Sequence, residues 1–245
     1  MESVKTTPDD RRRFQVLGVP VDACREVSVA AVGLHASGGG RIVTLNAEMT
    51  MSARVQTDLG QAIATAELII PDGAGVVWAL SRQGVRVMRS PGIELAWNLL
   101  GYAAAHQWSV ALVGASQEVM QRLQVMLPEH FPGLKLVVCV DGYRPEIEWS
   151  EIESELHRCD PDLVLVALGV PRQEIWSQRV QPGCNGLWMG VGGSFDVWAG
   201  IKKRAPLWMG RLQIEWLYRL IQEPSRWRRM LAIPIFVWAV LRSGR

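Results

Sequence analysis

Asp72 stands in Ile69-Ile70-Pro71-Asp72-Gly73, between an apolar, β-branched run and an apolar helical pattern. A lone carboxylate there has two readings: it caps the helix that follows, or it is a general base at a strand end. Thr44 and Asn46, at the end of another apolar run, read as turn residues or as groups that orient a sugar hydroxyl or amide. Gly190-Val191-Gly192-Gly193, with Asp196 beyond, reads as turns or as backbone brought close to a phosphate. Its spacing falls short of G-x-G-x-x-G, and no ribose-binding acid follows a strand about 20 residues on, which disfavours a dinucleotide enzyme. Gly114-Ala115-Ser116, Asp141-Gly142-Tyr143-Arg144 and Gly169 to Glu174 follow three further apolar runs. Polar and glycine residues thus gather where one shared crevice would need them.

Other chemistries find little support. Cys24, Cys139, Cys159 and Cys184 are widely spaced without a CxxC pair, and read as buried free thiols rather than a zinc site. The four histidines are scattered, and neither H-E-x-x-H nor G-x-S-x-G occurs. The crevice ends of the strands hold no DxD cluster suited to a metal.

The elements that must position these residues alternate. Strands are expected at Phe14–Leu17, Arg41–Leu45, Leu68–Pro71, Ser109–Val113, Lys135–Val140, Leu163–Leu168 and Leu187–Val191. Several are apolar without alternation, as in strands covered on both faces. Helical patterns lie near 47–65, 74–83, 92–106, 116–130, 147–158 and 172–180. This rhythm predicts an α/β fold, a mostly parallel Rossmann-like sheet sandwiched by helices. Ser116 is placed to cap its helix, with Glu118 in the first turn.

After Gly200 the strand signals stop. Pro206–Gln222 reads as a helix, Glu223-Pro224 breaks it, and Arg226–Leu241 reads as one or two helical pieces interrupted at Pro234. A division follows: a catalytic-type core over 1–200 and a basic helical appendage over 201–245. Charge divides the same way. The formal charge of +2 conceals +8 in residues 201–245, which hold ten Lys and Arg against Glu215 and Glu223, and −6 in the rest. Such a tail suits an anionic partner. Nucleic acid is one candidate, but the apolar run Met230–Leu241, flanked by arginines and containing Trp238, favours a lipid surface. The run is too short to span a bilayer, and the polar N-terminus lacks a signal-peptide core, so a cytoplasmic, peripheral protein is expected.

Taken in order, these blocks resemble the WecG/TagA/CpsF family of glycosyltransferases. The resemblance rests on Thr44-Leu45-Asn46-Ala47-Glu48, Pro71-Asp72-Gly73, Arg89 with Gly92, Gly142-Tyr143, and Gly169-Val170-Pro171-Arg172-Gln173-Glu174 with Trp176. It continues through Gly190 to Asp196, Arg204-Ala205-Pro206, Glu215 to Leu220, and Glu223-Pro224 with Arg226 and Arg229. It implies a Rossmann-like core of the GT-E type and an inverting, metal-independent transfer without a cofactor. The sugar, of the N-acetylmannosamine type, would pass from a UDP donor to polyprenyl-diphosphate-linked N-acetylglucosamine, for cell-surface polysaccharides such as wall teichoic acid. The alternatives are a uronic acid or glucose-type donor, or a non-enzymatic nucleotide-binding protein of the membrane surface. The resemblance assigns Asp72 as base and Thr44 as a helper that activates or positions the acceptor. It places Asn46, Arg89, Gly142, Gln173 and Asp196 around the nucleotide sugar. Arg219, Arg226 and Arg229 become appendage arginines that close over the site and hold the diphosphate. It also implies a membrane-surface location at the inner face, no nucleic-acid partner, and a possible homo-oligomer. Two positions depart from the family pattern: Glu94 where Asp is usual and Arg172 where Lys is usual. Both keep charge but not geometry.

Overall fold

A computed structural model describes residues 11–206, 208–209, 215–224 and 227–243, without the side chains of residues 219 and 228. The chain opens with a hairpin, β1 (Arg12–Val16) antiparallel to β2 (Val19–Ala23). Leu17 and Gly18 both take positive φ at its two-residue turn, the geometry that matches strand twist. Only the first of these strands is expected from sequence. Pro20 and Asp22 mask the second, because both disfavour a strand. Asp22 is tolerated because its buried carboxylate accepts Arg13 Nε at 2.8 Å and the Ile69 amide at 2.8 Å.

The main sheet contains β3 (Gly40–Leu45), β4 (Leu68–Pro71), β5 (Ser109–Gly114), β6 (Lys135–Val140), β7 (Leu163–Ala167) and β8 (Leu187–Gly190). Their spatial order is β4-β3-β8-β7-β5-β6, all parallel. The α/β sandwich is therefore as expected. Alternate residues of one strand enter opposite apolar layers. Ile42, Leu68 and Ile70 pack with α1 (Val27–Ala36), α5 (Gly92–His106), α6 (Gln117–His130) and α9 (Ser194–Trp198). Val43, Leu45 and Ile69 pack with α2 (Ala47–Ala53), α3 (Thr57–Ala64) and α4 (Ala74–Arg82). Val164, Val166 and Trp188 meet α7 (Glu146–Cys159) and α8 (Arg172–Val180). The helix expected over 47–65 is two helices, broken at residues 54–56. Helix α1 is not anticipated at all. Of the four free cysteines only Cys184 is buried, and burial pushes its thiol up to about 11. The other three are half-buried rather than buried.

Beyond Gly200 the described chain runs back past the carboxyl ends of the strands. It forms α10 (Glu215–Gln222), α11 (Trp227–Met230) and α12 (Ala232–Ser243). The break expected at Pro234 falls at Leu231 instead. Pro234 is the third residue of α12, where its missing N–H is one the helix would leave unpaired anyway. Helix α12 packs on α2 and α4, with Phe236 fully buried and Val240 buried in the same layer as Leu45. Burying one such aromatic ring contributes about 2–3 kcal/mol. Gly75 makes room for it: a Cβ there would lie 3.3 Å from the Phe236 ring. The opposite face, with Ile235, Trp238 and Leu241, is exposed. Among the described residues no helix is long and apolar enough to cross a membrane.

Candidate active site

The strand ends do form one crevice. Thr44, Asp72, Ala115, Gly169 and Gly190 to Ser194 line a cavity of about 520 Å³, together with residues of the C-terminal segment. Asp72 follows β4, where its amide donates to the Leu45 and Ile70 carbonyls. It is not the cap of the helix that follows, since Gly73 occupies that position without a side-chain bond. Its Oδ1 instead accepts the Gly92 amide at 2.9 Å, at the first turn of α5. The carboxylate, which lines the cavity, is thereby tied to a second element. Arg89 Nε donates 2.7 Å to the Asp72 carbonyl and keeps the same loop in place.

Thr44 packs against Gly92 so closely that a Cβ there would come within 2.6 Å of Thr44 Cγ2. Thr44, the Asp72 carboxylate and the start of α5 are thus locked together. Asn46 caps α2, its Oδ1 accepting the Met49 amide at 2.9 Å, and also lines the cavity. Gln173 is buried, and its Oε1 accepts both the Gly169 and Gly192 amides at 3.2 Å. It joins the glycine turns after β7 and β8. Asp196 lines the cavity and binds Lys202 Nζ at 2.8 Å. Gly142 lies behind the lining, where a Cβ would meet Leu168 and Gly114, while its neighbour Tyr143 faces the cavity. Arg229 lines it too, 3.8 Å from Glu48. Arg226 and the Arg219 side chain lie outside the described residues.

Charge is arranged in pairs around this space. Arg89 meets Glu215 of α10 at 2.6 Å, and Lys202 bridges Asp196 and Glu223, the latter at 2.6 Å. Arg204 pairs with Glu94. Burial opposes the charge of Arg89, but the bond to Glu215 and nearby carboxylates outweigh it and raise its pKa. Burial likewise opposes charge on Lys202, and Asp196 and Glu223 more than restore it. Sequence reasoning assigned no role to Lys202, Glu215 or Glu223. Glu215 and Glu223 stand in blocks that carry the resemblance, but neither block nor charge reveals the partners, such as Arg89 for Glu215, 126 residues away. Glu94, a departure from the usual Asp, reaches Arg204 across 110 residues.

A parallel α/β sheet with a polar crevice at its carboxyl ends, lined in part by the basic C-terminal segment, is the usual frame of a ligand site in open α/β folds. Residues 14–245 match the family model described as Glycosyl transferase WecG/TagA/CpsF family, and the chain belongs to that family. A Bacillus subtilis (strain 168) protein is 36% identical over 211 residues, covering 84% of this chain and 81% of its own length. A Bacillus spizizenii relative is 36% identical over 216 residues, 86% of this chain and 82% of its own. One from Staphylococcus aureus (strain MW2) is 34% identical over 206 residues, 83% and 80% respectively. All three bear the name N-acetylglucosaminyldiphosphoundecaprenol N-acetyl-beta-D-mannosaminyltransferase.

Proposed function

We propose that this chain transfers an N-acetylmannosamine-type sugar from a UDP donor to N-acetylglucosamine carried on a polyprenyl diphosphate, with inversion at the anomeric carbon. Family membership and the names of its relatives support the reaction class. The observation that carries the residue assignment is the Asp72 carboxylate, pinned to Gly92 at the edge of a cavity ringed by cations. In this reading Asp72 takes the proton of the acceptor hydroxyl, which Thr44 helps to position. The freed oxygen forms a bond to the anomeric carbon as the bond to the UDP β-phosphate oxygen breaks. The electron pair leaves on that oxygen, and its charge is met by Arg89, Arg229 and Lys202. Asn46, Gln173 and Asp196 shape the donor side, and Arg219 and Arg226 complete the anion site. Incoming phosphates would compete with the carboxylates that hold these cations now, a preorganised but exchangeable arrangement.

Residues 201–245 form the second functional part in this proposal, a lid over the crevice and a contact with the membrane surface. Its supports are the ion pairs of Arg89 with Glu215 and Lys202 with Asp196, and the exposed Ile235, Trp238 and Leu241 face of α12. The acceptor's lipid makes the cytoplasmic face of the membrane the working site.

The test is transfer from UDP-N-acetylmannosamine to a short-chain polyprenyl-diphosphate-linked N-acetylglucosamine, read by mass spectrometry. Asp72→Asn should lower turnover by roughly 10²–10⁴-fold, the usual weight of a general base, and leave donor affinity nearly unchanged. Full turnover in that variant would remove Asp72 from the role.

A further inference from the structure

Glu174 follows Gln173 in α8, is buried, and has no part in the transfer described above. A carboxyl in that position needs a reason, since an apolar side chain would fill the space at no desolvation cost. The reason lies in how Gln173 works. Its Oε1 receives two backbone N–H groups, from Gly169 after β7 and from Gly192 after β8. An amide engaged in that way must turn its NH₂ to the other side, and Glu174 Oε1 accepts it at 2.7 Å. The two N–H groups already disfavour the flipped amide, in which donors would face donors, but without an acceptor on the other side the working orientation would leave its NH₂ buried and unpaired. Gly190 confirms the tight fit: a Cβ on it would stand 2.4 Å from Gln173 Nε2 and 3.0 Å from Glu174 Oε1.

The other carboxyl oxygen points to a second feature. Glu174 Oε2, Ser177 Oγ and Trp188 Nε1 are buried without a hydrogen-bond partner. All three residues line one small cavity of about 10 Å³. That is about the least volume that holds a water, and its three polar groups are the number a buried water commonly satisfies. Arg41 also lines it but supplies no counter-charge to Glu174. Its guanidinium donates to the Ala62 carbonyl at 2.8 Å and to Thr65 Oγ1 at 2.9 Å. On α8 itself Arg172 is turned to the Gly142 carbonyl and Arg179 to Glu153.

We propose that Glu174 is a positioning residue: it orients the Gln173 carboxamide that clamps the two glycine turns of the active site, and one water links its second oxygen to Ser177 and Trp188. With burial and no ion pair to it among the described residues, its carboxyl is pushed up to about 7. The kinetic part of the proposal rests on the cavity being the donor site; the clamp itself does not.

The experiment is amide hydrogen exchange on the ligand-free protein, followed over residues 168–173 and 190–194. Glu174→Met keeps the volume but removes the acceptor, and should speed exchange at Gly169 and Gly192 by roughly tenfold, the loss of about one hydrogen bond. Glu174→Gln keeps an acceptor oxygen and should restore wild-type protection. Glu174→Asp, which withdraws the carboxyl by one methylene and perturbs folding less, should fall between them. Unchanged exchange in the Met and Asp variants overturns the proposal, as does a Gln variant that exchanges as fast as Met. With UDP-N-acetylmannosamine, the Met variant should raise donor KM more than it lowers kcat, and the Gln variant should reverse this. A wild-type protein that neither binds nor uses the donor would refute the transferase reading while leaving the exchange result to decide the clamp.

Discussion

Replacing Glu174 with Gln should change how stability depends on pH, and the sign follows from the environment. Burial raises the carboxyl from its ordinary 4.5 to about 7, and the bonds from Gln173 and from the backbone lower it only in part. The folded state therefore holds this proton more tightly than the unfolded chain does. Stability tied to it is complete below about pH 4.5 and is lost as pH rises through about 7. Each pKa unit corresponds to about 1.4 kcal/mol, so the full loss is on the order of 3 kcal/mol. Between pH 5 and pH 8 the wild type should lose about 2–3 kcal/mol relative to Glu174→Gln, because an amide does not titrate there. All other groups are common to both proteins and cancel in the difference. Urea unfolding of the two proteins at pH 5, 6, 7 and 8, compared pairwise, gives that difference directly. Curves that stay parallel within about 0.5 kcal/mol across the range would refute the reasoning. In that event the carboxyl would stay ionised across the range, paired with a cation or opened to bulk solvent.

Gly92→Ala places a methyl against Thr44 Cγ2, and should cost about 1–3 kcal/mol by chemical denaturation and lower turnover. Adding Thr44→Ser removes that methyl's obstacle and should recover most of the stability; additive losses would mean the two sites do not touch. Glu215→Gln removes the partner of Arg89 and should weaken docking of α10, seen as up to roughly tenfold faster trypsin cleavage within the 201–245 segment. Its cleavage rate should also lose part of the salt dependence of the wild type. The pair Ile235→Glu and Trp238→Glu, on the exposed face of α12, should abolish binding to anionic vesicles in a flotation assay with the thermal midpoint nearly unchanged. Retained flotation would place the lipid contact elsewhere. Point changes are the sharper instrument here, since deleting α12 would also remove Phe236 from the core.

The distribution of what could and could not be read in the sequence has a physical pattern. β4 and β7 are continuous apolar runs buried at every residue, so composition alone announces them as strands covered on both faces. Helix α5 was legible to both ends, from the glycine after Pro91 to His106. The second hairpin strand and α1 were not, because Asp22 depends on Arg13 and on an amide 47 residues away, and α1 carries Val27, Val29 and Gly33 against helical propensity. The same division runs through the site. Asp72, Thr44 and Asn46 stand at strand ends, where topology directs ligands, and they do share a cavity. What the local pattern leaves open is the use each side chain makes of its position. Asn46 spends its oxygen on a helix cap, and Asp72 spends one of its own on the start of a helix 20 residues on. Gln173 looks like any polar residue in a first helical turn, yet it is turned inward and holds two strands' loops together. Charge behaves likewise. A tail of +8 suggested an anionic partner, but several of its cations are already answered by carboxylates of the same molecule, Glu94 to Arg204 and Asp196 and Glu223 to Lys202. The basic segment is therefore not a uniformly basic surface: Lys202, Arg204 and Arg229 meet the core carboxylates Asp196, Glu94 and Glu48.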